Sequence, residues 1–158
     1  DEAATIAPGS QVSTFALARP DAPSLKVGLS VCYDLRFPEL YRAMGQPDLI
    51  LVPAAFTATT GRAHWETLLR ARAIENQCYV LGVNRIGSDP VCQYIGGTTI
   101  VDPYGMPTTC PGGETTVLTK TLDIKRLKSF REKFPVLKET DVVCRVFSAA
   151  DSAGGDEG

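Results

Sequence analysis

Val27-Gly28-Leu29-Ser30-Val31-Cys32-Tyr33-Asp34-Leu35-Arg36-Phe37-Pro38-Glu39-Leu40 is the stretch on which the reading of this chain turns. An apolar run stops on Cys32, and a polar segment that opens a helix follows at once. A buried strand ending this way can lift a side chain above the edge of a sheet, the layout of a strand–nucleophile–helix elbow, although the glycine-flanked serine motif usual to it is absent. Backbone N–H groups of such a turn can face a developing oxyanion. Free cysteine is also among the most buried residue types, so a cysteine behind a Val/Leu strand is commonly packing. The residues after Cys32 oppose that reading. Two acids and a guanidinium beside a strand terminus are costly unless they pair or face a cleft.

Outward from this stretch, strands and helices alternate. Residues 12–17 alternate apolar and polar side chains as a strand does, residues 19–23 read as a loop, and residues 25–31 as the buried strand delivering Cys32. Pro38 opens a short helix to about Met44, with Gly45 ending it. Residues 49–52, Leu-Ile-Leu-Val, form a continuous apolar strand. A helix is predicted over 61–77, its apolar face made by Trp65, Leu68, Leu69 and Ile74, with Glu66 and Arg70 spaced to pair. Strands are predicted over 78–83, 98–101 and 117–122, the last two joined through the turn Asp102-Pro103-Tyr104-Gly105. A basic helix follows over 123–133, N-capped by Asp123. The alternation favours an α/β layered fold.

The chain has 158 residues, 44% hydrophobic, with net charge −2. These values suit one soluble domain or part of a larger one, give no support to a nucleic-acid partner, and include no apolar run of transmembrane length or signal peptide. Five cysteines without C-x-x-C spacing and a single histidine argue against a disulfide framework and a zinc site. No metal or cofactor is expected, and a reducing, cytoplasmic compartment is. Cys78, Cys92, Cys110 and Cys144 read as inert thiols. Residues 148–158, small and glycine-rich, read as a disordered tail, leaving residues 1–147 as the domain.

The Cys32 segment resembles the nucleophile segment of the nitrilase (carbon–nitrogen hydrolase) superfamily, in the branch of Nit-type amidases. Two further blocks agree in order. The first runs Pro53-Ala54-Ala55-Phe56, Thr59-Thr60-Gly61, His64-Trp65-Glu66 and on through Leu69-Arg70-Ala71-Arg72-Ala73-Ile74-Glu75-Asn76-Gln77; the second is Gly96-Gly97-Thr98-Thr99-Ile100-Val101-Asp102-Pro103-Tyr104-Gly105. The resemblance covers residues 2–143 or so. It implies a four-layer α-β-β-α sandwich, of which this chain supplies part, so that some apolar faces lack their partners. It also implies that the N-terminal portion of the family's domain is missing, in keeping with the opening Asp1-Glu2-Ala3.

The family's chemistry uses a Glu-Lys-Cys set with a further glutamate near the site. Carried over residue by residue, Cys32 matches the nucleophile, the Tyr33 N–H an oxyanion donor, and Glu2 the further glutamate. The base glutamate and the lysine have no counterpart; Lys26, the one lysine before Cys32, lies in the same strand. Phe56 and Thr57, after a strand expected beside that of Cys32, border the pocket. Arg36, His64 and Glu66 are expected to support the site from behind, with Arg36 orienting the turn or binding a substrate carboxylate and Glu66 alternatively serving a surface pair. A homodimer is implied, with an apolar strip on Tyr41, Trp65 or Leu69.

The leading expectation is therefore hydrolysis of a small linear amide to acid and ammonia through a cysteine thioester. The same fold could instead serve as a truncated, non-catalytic dimerisation or interaction module, or hydrolyse a nitrile. A papain-like Cys32–His64 dyad is a further alternative.

Overall fold

The computed structural model describes residues 5, 7, 9–110 and 115–138. Among these, the strands are β1 (Ser13–Arg19), β2 (Ala22–Leu29), β3 (Leu49–Ala54), β4 (Tyr79–Asn84), β5 (Ile86–Ser88), β6 (Gln93–Ile95), β7 (Thr99–Val101) and β8 (Pro107–Thr109). The helices are α1 (Pro38–Ala43), α2 (Ala58–Asn76) and α3 (Ile124–Lys133), and a 3-10 turn spans Cys32–Arg36. A six-stranded sheet runs in the order β1-β2-β3-β4-β7-β8, while β5 and β6 form a separate hairpin. β2, β3 and β4 are parallel, and β1, β7 and β8 join antiparallel.

Register assigns the two faces. Gly28 pairs with Ile50, Ile50 with Val80, and Val52 with Gly82, so these residues share the face that α1 and α2 cover. A β-carbon on Gly82 would lie 2.6–2.8 Å from Leu69 and Trp65, which shows how closely α2 lies against β4. Leu35, Tyr41, Met44, Ile50, Val52, Trp65, Leu69 and Val80 form the core between them. Along α2 the buried positions are Gly61, Trp65, Leu69, Arg72, Ala73 and Asn76, the i, i+4, i+8 stripe of a helix lying on a sheet. Ile74, expected on that stripe, lies a hundred degrees or so round the helix from Ala73 and is exposed. Tyr41, Trp65 and Leu69, expected as an exposed strip for a second subunit, are buried in this chain's own core and present nothing to a partner.

The opposite face carries Phe15, Leu17, Leu29 and Val83, exposed by 43, 45, 39 and 49%. It is apolar and open at these positions, while Leu25, Val27 and Tyr79 on the same face are buried. β2 buries Leu25, Val27 and Gly28 and exposes Lys26 and Leu29, where a strand buried throughout was expected, and it ends at Leu29.

Several expected boundaries move. The loop over 19–23 contracts to Pro20-Asp21, because Arg19 already pairs with Ala22 in the hairpin ladder. α2 begins at Ala58, three residues before the expected start. Residues 117–122 are not a strand. The partner of β7 is β8, which closes directly through the turn where Asp102 Oδ1 accepts the N–H groups of Tyr104 and Met106 at 2.9 and 3.0 Å; a short loop of this kind costs less entropy than a longer one. Glu66 and Arg70 do not pair. Thr109 Oγ1 donates to Glu66 Oε2 at 3.2 Å, and Arg70 Nε donates to the Gly105 carbonyl at 2.8 Å, so tertiary partners replace the helical one.

α3 secures the amino ends of the parallel strands. Asp123 Oδ1 caps it by accepting from Arg126 N at 2.8 Å. Arg131 Nη1 pairs with Asp48 Oδ1 at 3.0 Å, and its Nε donates to the Gln77 carbonyl at 2.9 Å. The carboxyl ends of β2, β3 and β4 are left for Cys32, Phe56 and Asn84. Among the described residues no helix is long and apolar enough to cross a membrane. The residues expected as a tail, 148–158, and Cys144 lie outside the described residues.

Candidate active site

Cys32 occupies the first position of the 3-10 turn after β2, with φ +47°. A non-glycine residue in this left-handed region is strained by roughly 1–2 kcal/mol and persists only where its surroundings over-determine it. Asp34 supplies part of that determination. Its N–H donates to the Val31 carbonyl at 3.0 Å, and its Oδ2 accepts from Val31 N at 2.8 Å. The peptide before the cysteine is thus closed on itself. The opening N–H groups of such a turn have no partner within it, and Tyr33 N makes no hydrogen bond among the described residues. Cys32 is half-buried, and no hydrogen bond or ion pair reaches its Sγ among the described residues.

Arg36, one turn further on, connects this segment to the start of α2. Its guanidinium carbon lies 5.1 Å from the Phe56 ring centre and 5.6 Å from that of Tyr33, within the range of a cation–π contact. Nη2 donates to Thr60 Oγ1 at 3.3 Å, and Nη1 lies 2.9 Å from His64 Nδ1. A guanidinium only donates, so Nδ1 accepts and the imidazole proton sits on Nε2. His64 therefore serves Arg36, and among the described residues no hydrogen bond joins it to Cys32.

The loop after β3 is anchored by Asn84 at the end of β4. Asn84 Oδ1 accepts from Phe56 N at 2.8 Å and its Nδ2 donates to the Gly96 carbonyl at 2.7 Å. Phe56 is buried, its ring 5.0 Å from Trp65. Thr57 is bridged to Tyr94 of β6. Of the residues singled out in the sequence, Cys32, Tyr33, Arg36, Phe56 and His64 converge. Glu66 is drawn instead to Thr109 of β8. Glu2 lies outside the described residues. Lys26 donates from Nζ to the Gly45 carbonyl at 2.7 Å, beyond the far end of α1. Among the described residues no three His, Cys, Asp or Glu side chains are grouped to hold a metal ion.

Two groups escaped the sequence reading. Arg72, 4% exposed, donates from Nε and Nη2 to the Leu35 carbonyl at 3.1 and 2.9 Å. Tyr41 OH and Ser30 Oγ are 2.8 Å apart. The available signal was a charged residue seven positions after Trp65 on an otherwise apolar stripe. Burial also pushes the Cys78 thiol up to about 12, and the Tyr41 phenol to about 12.

A model of the carbon-nitrogen hydrolase family matches residues 3–132. The chain belongs to the carbon-nitrogen hydrolase family. It is 43% identical over 142 residues to omega-amidase NIT2 of Mus musculus, a match covering 87% of this chain and 49% of that protein. Among solved structures it resembles Saccharomyces cerevisiae Nit3, a nitrilase-superfamily member, with TM-score 0.76, 31% identity and coverage of 89% and 51% of the two chains. It also resembles a mutant of the amidase of Nesterenkonia sp. AN1 showing covalent addition of the acetamide moiety of fluoroacetamide at the active site cysteine (TM-score 0.57, 32% identity, 71% and 43% covered). The α/β architecture, with its sheet and flanking helices, is that of this superfamily and agrees with the layered sandwich expected from sequence. The chain spans about half the length of the curated relative it matches.

Proposed function

We propose that Cys32 is the nucleophile of a hydrolase that cleaves a small linear amide to the acid and ammonia. The thiolate adds to the amide carbonyl, and the tetrahedral oxyanion is met by the Tyr33 N–H. The C–N bond breaks as the leaving nitrogen takes a proton, leaving a thioester; water then adds to the thioester and the thiol departs. The observation that carries this reading is the strained, left-handed cysteine at a strand end, beside an amide N–H without a partner among the described residues. The mouse relative's name, an omega-amidase, and the cysteine adduct in the Nesterenkonia amidase support the reaction class.

The base glutamate and the lysine are placed by this proposal outside the chain, so that these 158 residues alone are inactive. Arg36 and His64 brace the turn, with Phe56 and Thr57 at the pocket's border and Glu2 in the role of the further glutamate. The family resemblance also supports a homodimer, with a contact elsewhere than Tyr41, Trp65 and Leu69, and the free thiols suit a reducing cytoplasm.

In the intact protein, ammonia release is measured from butyramide and from succinamate, a neutral and a carboxylate-bearing linear amide. Cys32→Ala is expected to abolish release from both while the circular dichroism spectrum is unchanged. Full activity in that variant would refute the nucleophile.

A further inference from the structure

Buried groups on α1 and α2 grip the Cys32 turn on both sides. On the carboxyl side, the Leu35 carbonyl accepts two N–H donors from Arg72, at 3.1 and 2.9 Å. Arg72 is itself fixed, since Nη1 lies 3.0 Å from Glu75 Oε2 and Cζ lies 5.2 Å from the Tyr41 ring centre. On the amino side, the same Tyr41 reaches Ser30 Oγ at 2.8 Å, and Ser30 N donates to the Leu51 carbonyl of β3 at 3.1 Å. Residues 30 and 35 are thus tied to one unit, Glu75–Arg72–Tyr41, with the strained cysteine between them. Leu35 and Tyr41 are fully buried and Arg72 nearly so.

A guanidinium is an unfavourable choice if packing is all that is required, because a buried ion pair can often be replaced by apolar side chains without loss of stability. What the guanidinium adds is a rigid fork that fixes the position of one oxygen. Here that oxygen belongs to the turn that carries the cysteine. We propose that Arg72 and Tyr41 are positioning residues that hold Cys32 in its left-handed conformation, with Sγ and the Tyr33 N–H in fixed relation to one another. This rests on the reading of Cys32 as the nucleophile. The unit touches the backbone and Ser30 and does no chemistry itself.

The test compares steady-state butyramide hydrolysis by the intact protein carrying Arg72→Lys, Tyr41→Phe or Cys32→Ala. Arg72→Lys keeps the charge and loses the fork; Tyr41→Phe keeps the ring and loses only the hydroxyl. Displacing a reacting group by an ångström or so costs up to about a hundredfold in rate. A fall in kcat of about tenfold or more is therefore expected for Arg72→Lys, and about threefold for Tyr41→Phe, with KM within about twofold in both. Circular dichroism and the melting transition establish that each variant is folded. A folded Arg72→Lys with kcat within about twofold of the parent overturns the proposal; if that variant does not fold, Tyr41→Phe decides by the same criterion. An active Cys32→Ala overturns the nucleophile reading and this inference with it. An inactive Cys32→Ala beside an undiminished kcat in the deciding variant overturns the positioning unit alone.

Discussion

At the residue scale, Cys32 trades stability for geometry. Its φ of +47° favours glycine, and the cost is offset by the ties at Val31, Asp34 and Leu35. Replacing it separates the two demands. Cys32→Gly is expected to be more stable than Cys32→Ala by about 1 kcal/mol, because glycine alone enters the left-handed region freely; equal denaturant midpoints would show that the position is not strained. Cys78 is the contrasting cysteine. It is fully buried and its thiol is pushed up to about 12 by desolvation, so the attacking thiolate is suppressed. At pH 8, iodoacetamide is expected to modify the half-buried Cys32 and leave Cys78 untouched until the protein unfolds, which peptide mass mapping reads directly. A thiol raised in the folded state contributes stability that is fully present below its ordinary value of 9.0 and is lost as pH rises from there through about 12. The melting temperature should therefore fall across that alkaline range, and less steeply in Cys78→Ala.

At the element scale, α2 connects the sheet to the cysteine turn. Its stripe packs Trp65 and Leu69 into the space left by Gly82, while Arg72 on the same stripe reaches the Leu35 carbonyl. Gly82→Ala would set a methyl group 2.6–2.8 Å from Leu69 and Trp65 side-chain atoms. Overpacking of this kind costs about 1–3 kcal/mol, and because the helix must lift off β4 to relieve it, the Arg72 bonds lengthen as well. Urea denaturation should show the loss of stability; an unchanged midpoint would mean that α2 rides loosely on the sheet. The apolar pattern of this helix was legible from Trp65 and Leu69. The places of Ile74 and Arg72 were not, because hydrophobicity assigns a charged residue to water, whereas here two carbonyl bonds and a carboxylate satisfy a buried guanidinium.

At the scale of the whole molecule, the sheet has one covered face and one that is open in part. Phe15, Leu17, Leu29 and Val83 are exposed on the second. In a two-sheet sandwich this face meets a second sheet. Val83→Glu in the intact protein is then expected to lower the melting temperature as a core charge does, by about 2 kcal/mol or more in stability. A change within about 0.5 kcal/mol, normal for a surface site, would show that the face stays in water.

The sequence alone determined the cysteine's place at a strand end, the order of strands and helices as far as β4, the Asp123 cap and the Asp102 turn, since each depends on neighbours within a few residues. It also carried the family, because three ordered blocks preserve the chemistry of local turns. Tertiary structure decided the rest. The turning of Glu66 to Thr109, the burial of Tyr41 and the grip of Arg72 on Leu35 all join residues distant along the chain. Such contacts form only once a sheet and its helices have brought donors and acceptors together, and no local pattern in the chain encodes which of them will meet.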